Sequence, residues 1–120
     1  MMTLYTKSIR AKLENKDGTR ICVMRYIRPY YKFDIWAPAL APPEELLMAY
    51  KKKRISWGEY EELYRDVLKR EGPLITCLAN MAALTNVTLL CWELTPENCH
   101  RRLISQEIEK YNPDVEIVLK

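Results

Sequence analysis

The sequence predicts a single α/β domain in which a small, partly parallel sheet of about four strands is flanked by helices. Short segments rich in β-branched and apolar residues lie near both ends of the chain, and helical patterns fill the space between them. The chain also finishes in the order strand, helix, strand, which implies a right-handed connection between parallel strands. With 120 residues, of which 48% are apolar, one core can form without disulfides or metals. We therefore expect one domain over residues 1–120.

Two strands are expected in the first quarter of the chain. Residues 3–9 and 21–27 are rich in β-branched and aromatic residues, and Asp17-Gly18 between them is typical of a turn. Residues 28–43 then carry four prolines and several aromatic residues. This composition predicts an ordered loop without regular structure, of the kind that often forms one wall of a binding site.

Three helices are expected in the middle of the chain. The first begins after Pro43 and ends in the basic run 51–54, which suits the negative end of a helix dipole. A second follows Ser56 and Glu59, which fit a capping box. Apolar residues then recur at helical spacing, at Tyr60, Leu63, Tyr64, Val67 and Leu68. A third, more apolar helix is expected over residues 74–84.

The last third of the chain predicts the strand–helix–strand order. Residues 88–92 form a nearly continuous apolar run, which is typical of a buried strand. Thr95 is expected to cap the next helix, with Pro96 at its first position, where a proline removes no hydrogen bond. This helix is expected to continue to about Tyr111. Residues 115–119 predict the final strand.

The junction between this strand and helix gathers the residue types that carry chemistry. Cys91 ends the strand, and Cys99, His100 and Arg101 follow near the start of the helix; His100 is the only histidine. Open α/β sheets usually bind their ligands at such junctions. The sequence therefore predicts a functional site here.

A helical wheel at about 100° per residue predicts how the last helix is oriented. Its apolar face consists of Leu103, Ile104, Ile108 and Tyr111. His100 falls in the middle of this face, on the same stripe as Glu107. Cys99 and Arg101 fall on its flanks, and Arg102 points to solvent. We therefore expect His100 to face the strand that carries Cys91.

This arrangement predicts a reactive thiol. Helix N-terminal amides favour an anion near Cys99, and Arg101 or a protonated His100 would help a thiol to lose its proton. His100 could also act as an acid or base. The candidate catalytic residues are thus Cys99 and His100, with Cys91 as a further candidate.

Other interpretations of these residues stay open. His100 can be a core histidine bonded to a backbone carbonyl, and Cys99 can be a packing residue. A Cys91–Cys99 disulfide requires Cα atoms within about 7 Å. A zinc site at Cys91, Cys99 and His100 lacks an obvious fourth ligand, so neither a metal nor a cofactor is expected. The phosphatase and rhodanese pattern, in which an arginine closes a short loop after the cysteine, is absent, because the first arginine after Cys91 is Arg101.

Net charge and cysteine content indicate which partners and which cellular location we expect. The net charge is +3, yet residues 1–32 hold eight of the 19 Lys and Arg residues. This basic segment could attract phosphates or could be an ordinary solvated surface. No apolar run reaches the roughly 18–20 residues that span a bilayer, so we expect a cytoplasmic protein without membrane contacts. Cys22, Cys77 and Cys91 lie in apolar surroundings and are expected to be small core residues. Cysteines of an intracellular chain are more often reduced than paired, but the redox state of Cys91 and Cys99 stays open.

Three segments resemble a known family. They read CVMRYIRPYY, then DIWAPALAPPEEL running into ISWGEYEELYRDVL, and LLCWELTPENCHRRLI. On these segments the chain resembles the domain of unknown function 488 (DUF488) family, specifically its YeaO-like branch. The resemblance implies an α/β fold and a shared pocket, but no reaction. It marks as recurrent the positions Arg25, Asp34, Trp36, Cys91, Cys99, His100 and Arg101. Met24 stands where that branch has an aspartate, which weakens any activity that would depend on that aspartate.

Three functions are compatible with the sequence. The first is binding of a phosphorylated or otherwise anionic ligand, such as a nucleotide or nucleic acid, and its candidate contacts are Arg25, Arg28, Arg101, Asp34 and Trp36. The alternative is a small cysteine- and histidine-dependent enzyme that acts at the same site. A third is a structural or interaction protein whose aromatic loop, residues 30–36, packs against a second copy in a homodimer. Binding ranks first because arginines are abundant and a complete catalytic set is not visible.

Overall fold

Five parallel strands form the sheet in the computed structural model, which describes residues 2–93 and 99–120. The strands are β1 (Thr3–Ser8), β2 (Thr19–Cys22), β3 (Ile35–Trp36), β4 (Val87–Cys91) and β5 (Glu116–Leu119). Their order across the sheet is β3-β2-β4-β1-β5, and each neighbouring pair is parallel. The predicted α/β fold is confirmed. The sheet has one strand more than the four expected and is parallel throughout these pairings.

The additional strand, β3, lies inside the segment 28–43 that was expected to be irregular. It pairs Ile35 and Trp36 with the end of β2, and Ala37 N donates to Cys22 O at 2.8 Å. The chain then enters a 3₁₀ turn at Pro38–Leu40. An edge strand of two residues is too short to produce an alternating sequence pattern, which is why the sequence does not reveal it.

Strand β2 is displaced from its predicted range of 21–27. It begins at Thr19 and ends at Cys22, after which Val23 N donates to Leu90 O at 3.0 Å. The neighbouring strand β4 ends at Cys91, so the residues after Val23 have no partner strand on that side. The apolar pattern of 24–27 therefore belongs to the segment that leaves the sheet.

Four α-helices pack with the sheet in the described residues, namely α1 (Glu44–Lys51), α2 (Trp57–Arg70), α3 (Gly72–Leu84) and α4 (His100–Tyr111). The capping box before α2 is confirmed: Glu59 N donates to Ser56 Oγ and Ser56 N donates to Glu59 Oε1, each at 3.1 Å. Helix α3 begins two residues before its predicted start, because a proline is tolerated in the first turn of a helix.

The start of α4 differs from the prediction. Cys99 is the N-cap, with extended backbone angles of φ −128° and ψ 140°, and the helix begins at His100. Cys99 therefore precedes the first turn instead of lying within it. The expected cap at Thr95 and the proline at Pro96 lie outside the described residues.

The core lies between the sheet and the helices. Strand β4 is buried along its whole length, and α3 contributes the buried face Ile75, Leu78, Ala79 and Ala82. Cys22 and Cys91 are buried as expected, but Cys77 is exposed, because it lies on the side of α3 opposite to this face. Among the described residues, no helix combines the length and apolar character needed to cross a membrane.

The turn into β2 provides a test of this fold. Gly18 has φ +65°, and a Cβ atom at this position would lie 2.0 Å from Asn86 O. Gly18→Ala should therefore lower the free energy of unfolding by at least roughly 2 kcal/mol. Gly58→Ala is the matched control, since the nearest atom to its new Cβ is Ser56 Oγ at 3.8 Å. It should raise stability by roughly 0.5–1 kcal/mol, as replacing a helical glycine usually does.

Urea denaturation of both variants beside the wild type measures these changes. Equal stability of the two variants would show that Gly18 does not occupy the described backbone conformation.

Candidate functional site

The candidate site lies where the direction of the chain connections reverses. From β2 the chain proceeds to β3 on one side of the sheet, whereas from β4 it proceeds to β5 on the other side. β2 and β4 are neighbours, and ligands of open α/β sheets bind outside the carboxyl ends of such a strand pair. A cavity of about 500 Å³, here called the thiol cavity, opens at this place. Met24 after β2 and Trp92 after β4 both line it.

Aromatic side chains are the largest group among the residues that line the thiol cavity. The lining rings belong to Tyr26, Tyr30, Tyr31, Tyr50, Trp57, Tyr60 and Trp92. Its charged lining residues are Arg25, Arg28, Lys51 and Glu93, and Cys99 and His100 complete the reactive part. The cavity can therefore accept a flat, largely apolar group next to a sulfur atom.

Cys91 and Cys99 are joined in a disulfide, with their Cα atoms 7.7 Å apart. The sequence analysis takes about 7 Å between Cα atoms as the limit for a disulfide, and the observed separation is slightly longer. Both cysteines are buried, with exposed fractions of 0% for Cys91 and 1% for Cys99, but of the two only Cys99 lines the thiol cavity. The structure thus contains the oxidised form of a sulfur pair of which one member borders the cavity.

The guanidinium of Arg101 lies against both sulfur atoms. Its Nη1 is 3.0 Å from Cys91 Sγ and 3.5 Å from Cys99 Sγ, and it donates to Glu93 O at 2.6 Å. Its Nη2 donates to Lys120 O at 2.6 Å. The helical wheel placed Arg101 on a flank of α4, but its side chain is fully buried, because these carbonyls and sulfurs lie beneath the helix start. Burial lowers the pKa of Arg101, although a guanidinium stays protonated in proteins.

His100 is oriented by a backbone carbonyl. Its Nε2 lies 2.7 Å from Val23 O, and since a carbonyl only accepts, Nε2 carries the proton. Burial lowers the pKa of His100, so the imidazole is neutral at pH 7. The remaining nitrogen, Nδ1, is then an unprotonated acceptor, 4.0 Å from Cys99 Sγ. Nε2 is therefore bonded to a backbone carbonyl, as one interpretation of His100 expects. Nδ1 is an acceptor, as the interpretation of His100 as a base requires.

A metal site is disfavoured by charge. The ligand atoms of Cys91, Cys99 and His100 lie within 4.8 Å of one another, as metal ligands could. The guanidinium of Arg101, however, already donates to both sulfurs and carries the positive charge that a metal ion would bring. We therefore assign no metal to this cluster.

The predicted ligand-binding residues separate into two groups. Arg25 and Arg28 line the thiol cavity, although Arg25 Nε also donates to Pro42 O at 2.8 Å. The buried Arg101 and the exposed Asp34 and Trp36 are not among its lining residues. Asp34 Oδ2 accepts from Arg20 N at 2.8 Å, and Trp36 Nε1 donates to Met24 O at 2.7 Å. These two side chains hold the loop that forms one wall.

Glu93 is the residue of the site that the sequence analysis missed. Its Oε2 lies 3.5 Å from Cys91 Sγ and 3.4 Å from Cys99 Sγ. A signal was available, because side chains two residues apart in an extended segment point to the same side, and Glu93 follows Cys91 by two. Sequence reasoning also missed the Val23 carbonyl, which only the chain topology brings to His100.

Comparison with protein families identifies one match. The family model DUF488-N3a, described as the active DUF488-N3 subclade, matches residues 4–112. This range covers most of the chain and confirms the predicted DUF488 family, whereas the YeaO-like branch stays a prediction. No curated protein and no solved structure matches the chain.

The lowered pKa of His100 predicts how stability depends on pH. The unfolded chain binds a proton at His100 near pH 6.5, whereas the folded protein binds it only at lower pH. The free energy of unfolding therefore falls as the pH is lowered through this range. Among the described residues, the groups around His100 are Cys99, Arg101, Glu93 and Tyr64. None of them has an ordinary pKa between about 5.5 and 7.

Urea denaturation between about pH 7 and pH 5.5 should therefore show a loss of stability that is smaller in His100→Gln. An amide at this position can still donate to Val23 O but does not titrate. An identical pH dependence in both proteins would contradict the assignment of a neutral, half-buried imidazole.

Proposed function

The chain belongs to the DUF488 family, and we propose that it is an enzyme in which the thiol of Cys99 reacts with a ligand in the thiol cavity. One observation carries the proposal. The sulfur that borders the cavity has an unprotonated imidazole nitrogen on one side and a buried guanidinium on the other. A base and a cation beside one thiol are the usual means of activating a cysteine.

The reaction cycle starts with reduction. Two molecules of a small thiol convert the Cys91–Cys99 disulfide into two thiols and are themselves joined in a disulfide. His100 Nδ1 then accepts the proton of the Cys99 thiol, and Arg101 stabilises the resulting thiolate. The thiolate forms a bond to an electrophilic atom of the ligand, and the displaced group leaves with the electron pair of its former bond. The proton on His100 is available to that group.

The two cysteines have different roles in this proposal. Both residues are buried, but Cys99 lines the cavity and is the nucleophile, whereas Cys91 does not line it. Where the ligand is a disulfide or a peroxide, Cys99 carries a sulfur- or oxygen-bound group, and the Cys91 thiolate can attack the Cys99 sulfur. That group accepts the two electrons and leaves as a thiolate or hydroxide, and the disulfide forms again.

Glu93 opposes the thiolate, so the balance of charges matters. Its carboxylate repels a negative sulfur, but Glu93 is exposed, and water screens its charge. Arg101 is buried and donates directly to the sulfurs, and a hydrogen bond to a charged group contributes roughly 1.5–3 kcal/mol. The guanidinium therefore dominates, and the thiolate is favoured.

We propose anion binding, which ranked first from the sequence, as the way in which the ligand is held. Arg28 and Lys51 line the thiol cavity and are exposed, which supports this role. Arg25 and Arg101 already donate to carbonyl oxygens, which leaves them less available to an anion. Because two of the candidate arginines are already hydrogen-bonded, we rank thiol chemistry above anion binding in our proposal.

We also propose a reducing, cytoplasmic location and keep the homodimer as a proposal. The free thiols of Cys22 and of the exposed Cys77 support a reducing compartment. Exposed Tyr30 and Trp36 in the aromatic loop support contact with a second copy, which light scattering would test.

The enzyme proposal predicts that the reduced protein alkylates selectively. After reduction, iodoacetamide should modify Cys99 at about pH 6 roughly tenfold faster than the exposed Cys77, because only Cys99 has a base and a cation beside it. Peptide mapping by mass spectrometry measures both rates in one sample. Equal, slow modification of both residues between about pH 6 and pH 8 would refute the proposal.

Substitutions separate the effects of His100 and Glu93 on the rate at which Cys99 is modified. His100→Gln should slow the modification of Cys99 by roughly tenfold at neutral pH, and Lys110→Gln, on the exposed side of the same helix, should not. Glu93→Gln should accelerate it, whereas Glu61→Gln, which removes a carboxylate from α2, should leave it unchanged. A slower reaction in Glu93→Gln would identify the carboxylate, and not His100, as the base.

A further inference from the structure

A second cavity adjoins the thiol cavity. It has a volume of about 380 Å³ and is here called the basic cavity. The two cavities share three lining residues, Tyr30, Tyr31 and Trp92, which form a partition between them. Residues that follow β1, among them Arg10, form the far side of the basic cavity. A ligand that passes this partition would occupy both cavities.

The charges of the two cavities differ. The charged residues that line the basic cavity are Arg10, Arg20 and Lys32, and among the described residues no acidic side chain lines it. The thiol cavity, in contrast, contains the carboxylate of Glu93 beside its cations. An anionic group is therefore better accommodated in the basic cavity.

Two of the three cations are available to a ligand. Arg10 is exposed, and its guanidinium carbon lies 4.1 Å from the centre of the Trp92 ring, while its Nε donates to Trp92 O at 3.2 Å. Its terminal nitrogens make no hydrogen bond with any residue that the structure describes. The same holds for Nζ of the exposed Lys32, whose backbone is fixed because Arg20 Nε donates to Lys32 O at 3.1 Å. Arg20 itself is buried and paired with Asp17.

We propose that the basic cavity is a phosphate subsite, and that the ligand of this protein is a nucleotide whose base lies in the thiol cavity. The aromatic walls next to Cys99 fit a flat heterocycle, and the terminal nitrogens of Arg10 and Nζ of Lys32 fit phosphate oxygens. Trp92 directly follows Cys91 and lines both cavities, so a single nucleotide can extend from the sulfur to the two cations. The placement of the nucleobase next to Cys99 rests on the proposed function, whereas the phosphate subsite does not.

The test uses ligands that carry one or both groups. AMP and UMP should bind more tightly than adenosine or ribose 5-phosphate in isothermal titration calorimetry. Arg10→Ala with Lys32→Ala should weaken AMP binding by about 10- to 100-fold and leave adenosine binding unchanged. Arg10→Lys should retain most of the affinity, because it keeps the charge. Lys52→Ala with Lys69→Ala, two exposed lysines that line neither cavity, is the control with the same change in net charge.

Three outcomes would overturn the proposal. They are an absence of AMP and UMP binding, equal losses in the double variant and its control, and a loss caused by Arg28→Ala with Lys51→Ala instead. Binding of a short single-stranded oligonucleotide shows whether the phosphate group belongs to a nucleic acid or to a free nucleotide. If the oligonucleotide binds more tightly than AMP and is weakened by the same double variant, the phosphate belongs to a nucleic acid; if AMP binds at least as well, the ligand is a free nucleotide.

Repeating the titration with Cys99→Ser separates this proposal from the enzyme proposal. AMP binding that depends on Arg10 and Lys32 should persist in this variant, since the serine retains the shape of the cavity. Selective alkylation of Cys99 without nucleotide binding would refute only the phosphate subsite. Nucleotide binding with slow, unselective alkylation would refute only the thiol chemistry.

Discussion

The site depends on one buried cation, the guanidinium of Arg101. It connects the start of α4 to the backbone after β4 through Glu93 O and to the end of the sheet through Lys120 O. A buried charge is costly unless it is hydrogen-bonded, and these carbonyls supply the bonds. Within the described part of the chain, Nη1 also lies against the sulfurs of Cys91 and Cys99, and the buried Nε has no hydrogen-bond partner. One side chain thus holds three chain segments together and determines the charge at the sulfurs.

A second buried charge cluster positions the wall of the cavities. Burial opposes the ionisation of Asp17, but the backbone N–H of Glu14 and the cations of Lys7 and Arg20 keep its pKa below the usual value. Arg20 extends this cluster to the aromatic loop, because its Nε donates to the carbonyl of Lys32. The loop between β2 and β3 is therefore held by an ionic cluster at its base, and it carries Tyr30 and Tyr31, two of the three residues that separate the cavities.

Local patterns were sufficient for those parts of the fold that local interactions determine. The capping box of Ser56 and Glu59, the helix that follows it and the buried strand ending at Cys91 could all be predicted, because each depends on residues within a few positions. The two-residue strand β3 and the burial of Arg101 could not be predicted. Both depend on partners that are distant in sequence, as Arg101 does on Lys120 O. The same holds for His100, whose protonated nitrogen is chosen by the carbonyl of Val23, 77 residues away.

The chemistry of the sulfur pair follows from the same buried charge. Burial lowers the pKa of Arg101, which means that the environment disfavours the guanidinium cation. In the disulfide form neither sulfur carries a charge, so the exposed Glu93 is the nearby acidic side chain that offsets the cation. The guanidinium lies 3.0 Å and 3.5 Å from the two sulfurs of the disulfide, so under the proposed function a thiolate formed after reduction has a cation beside it, and His100 Nδ1 is the acceptor of the proton. Since a buried cation is stabilised by a neighbouring anion, we expect the guanidinium to favour a thiolate in the reduced pair, as the proposed function requires.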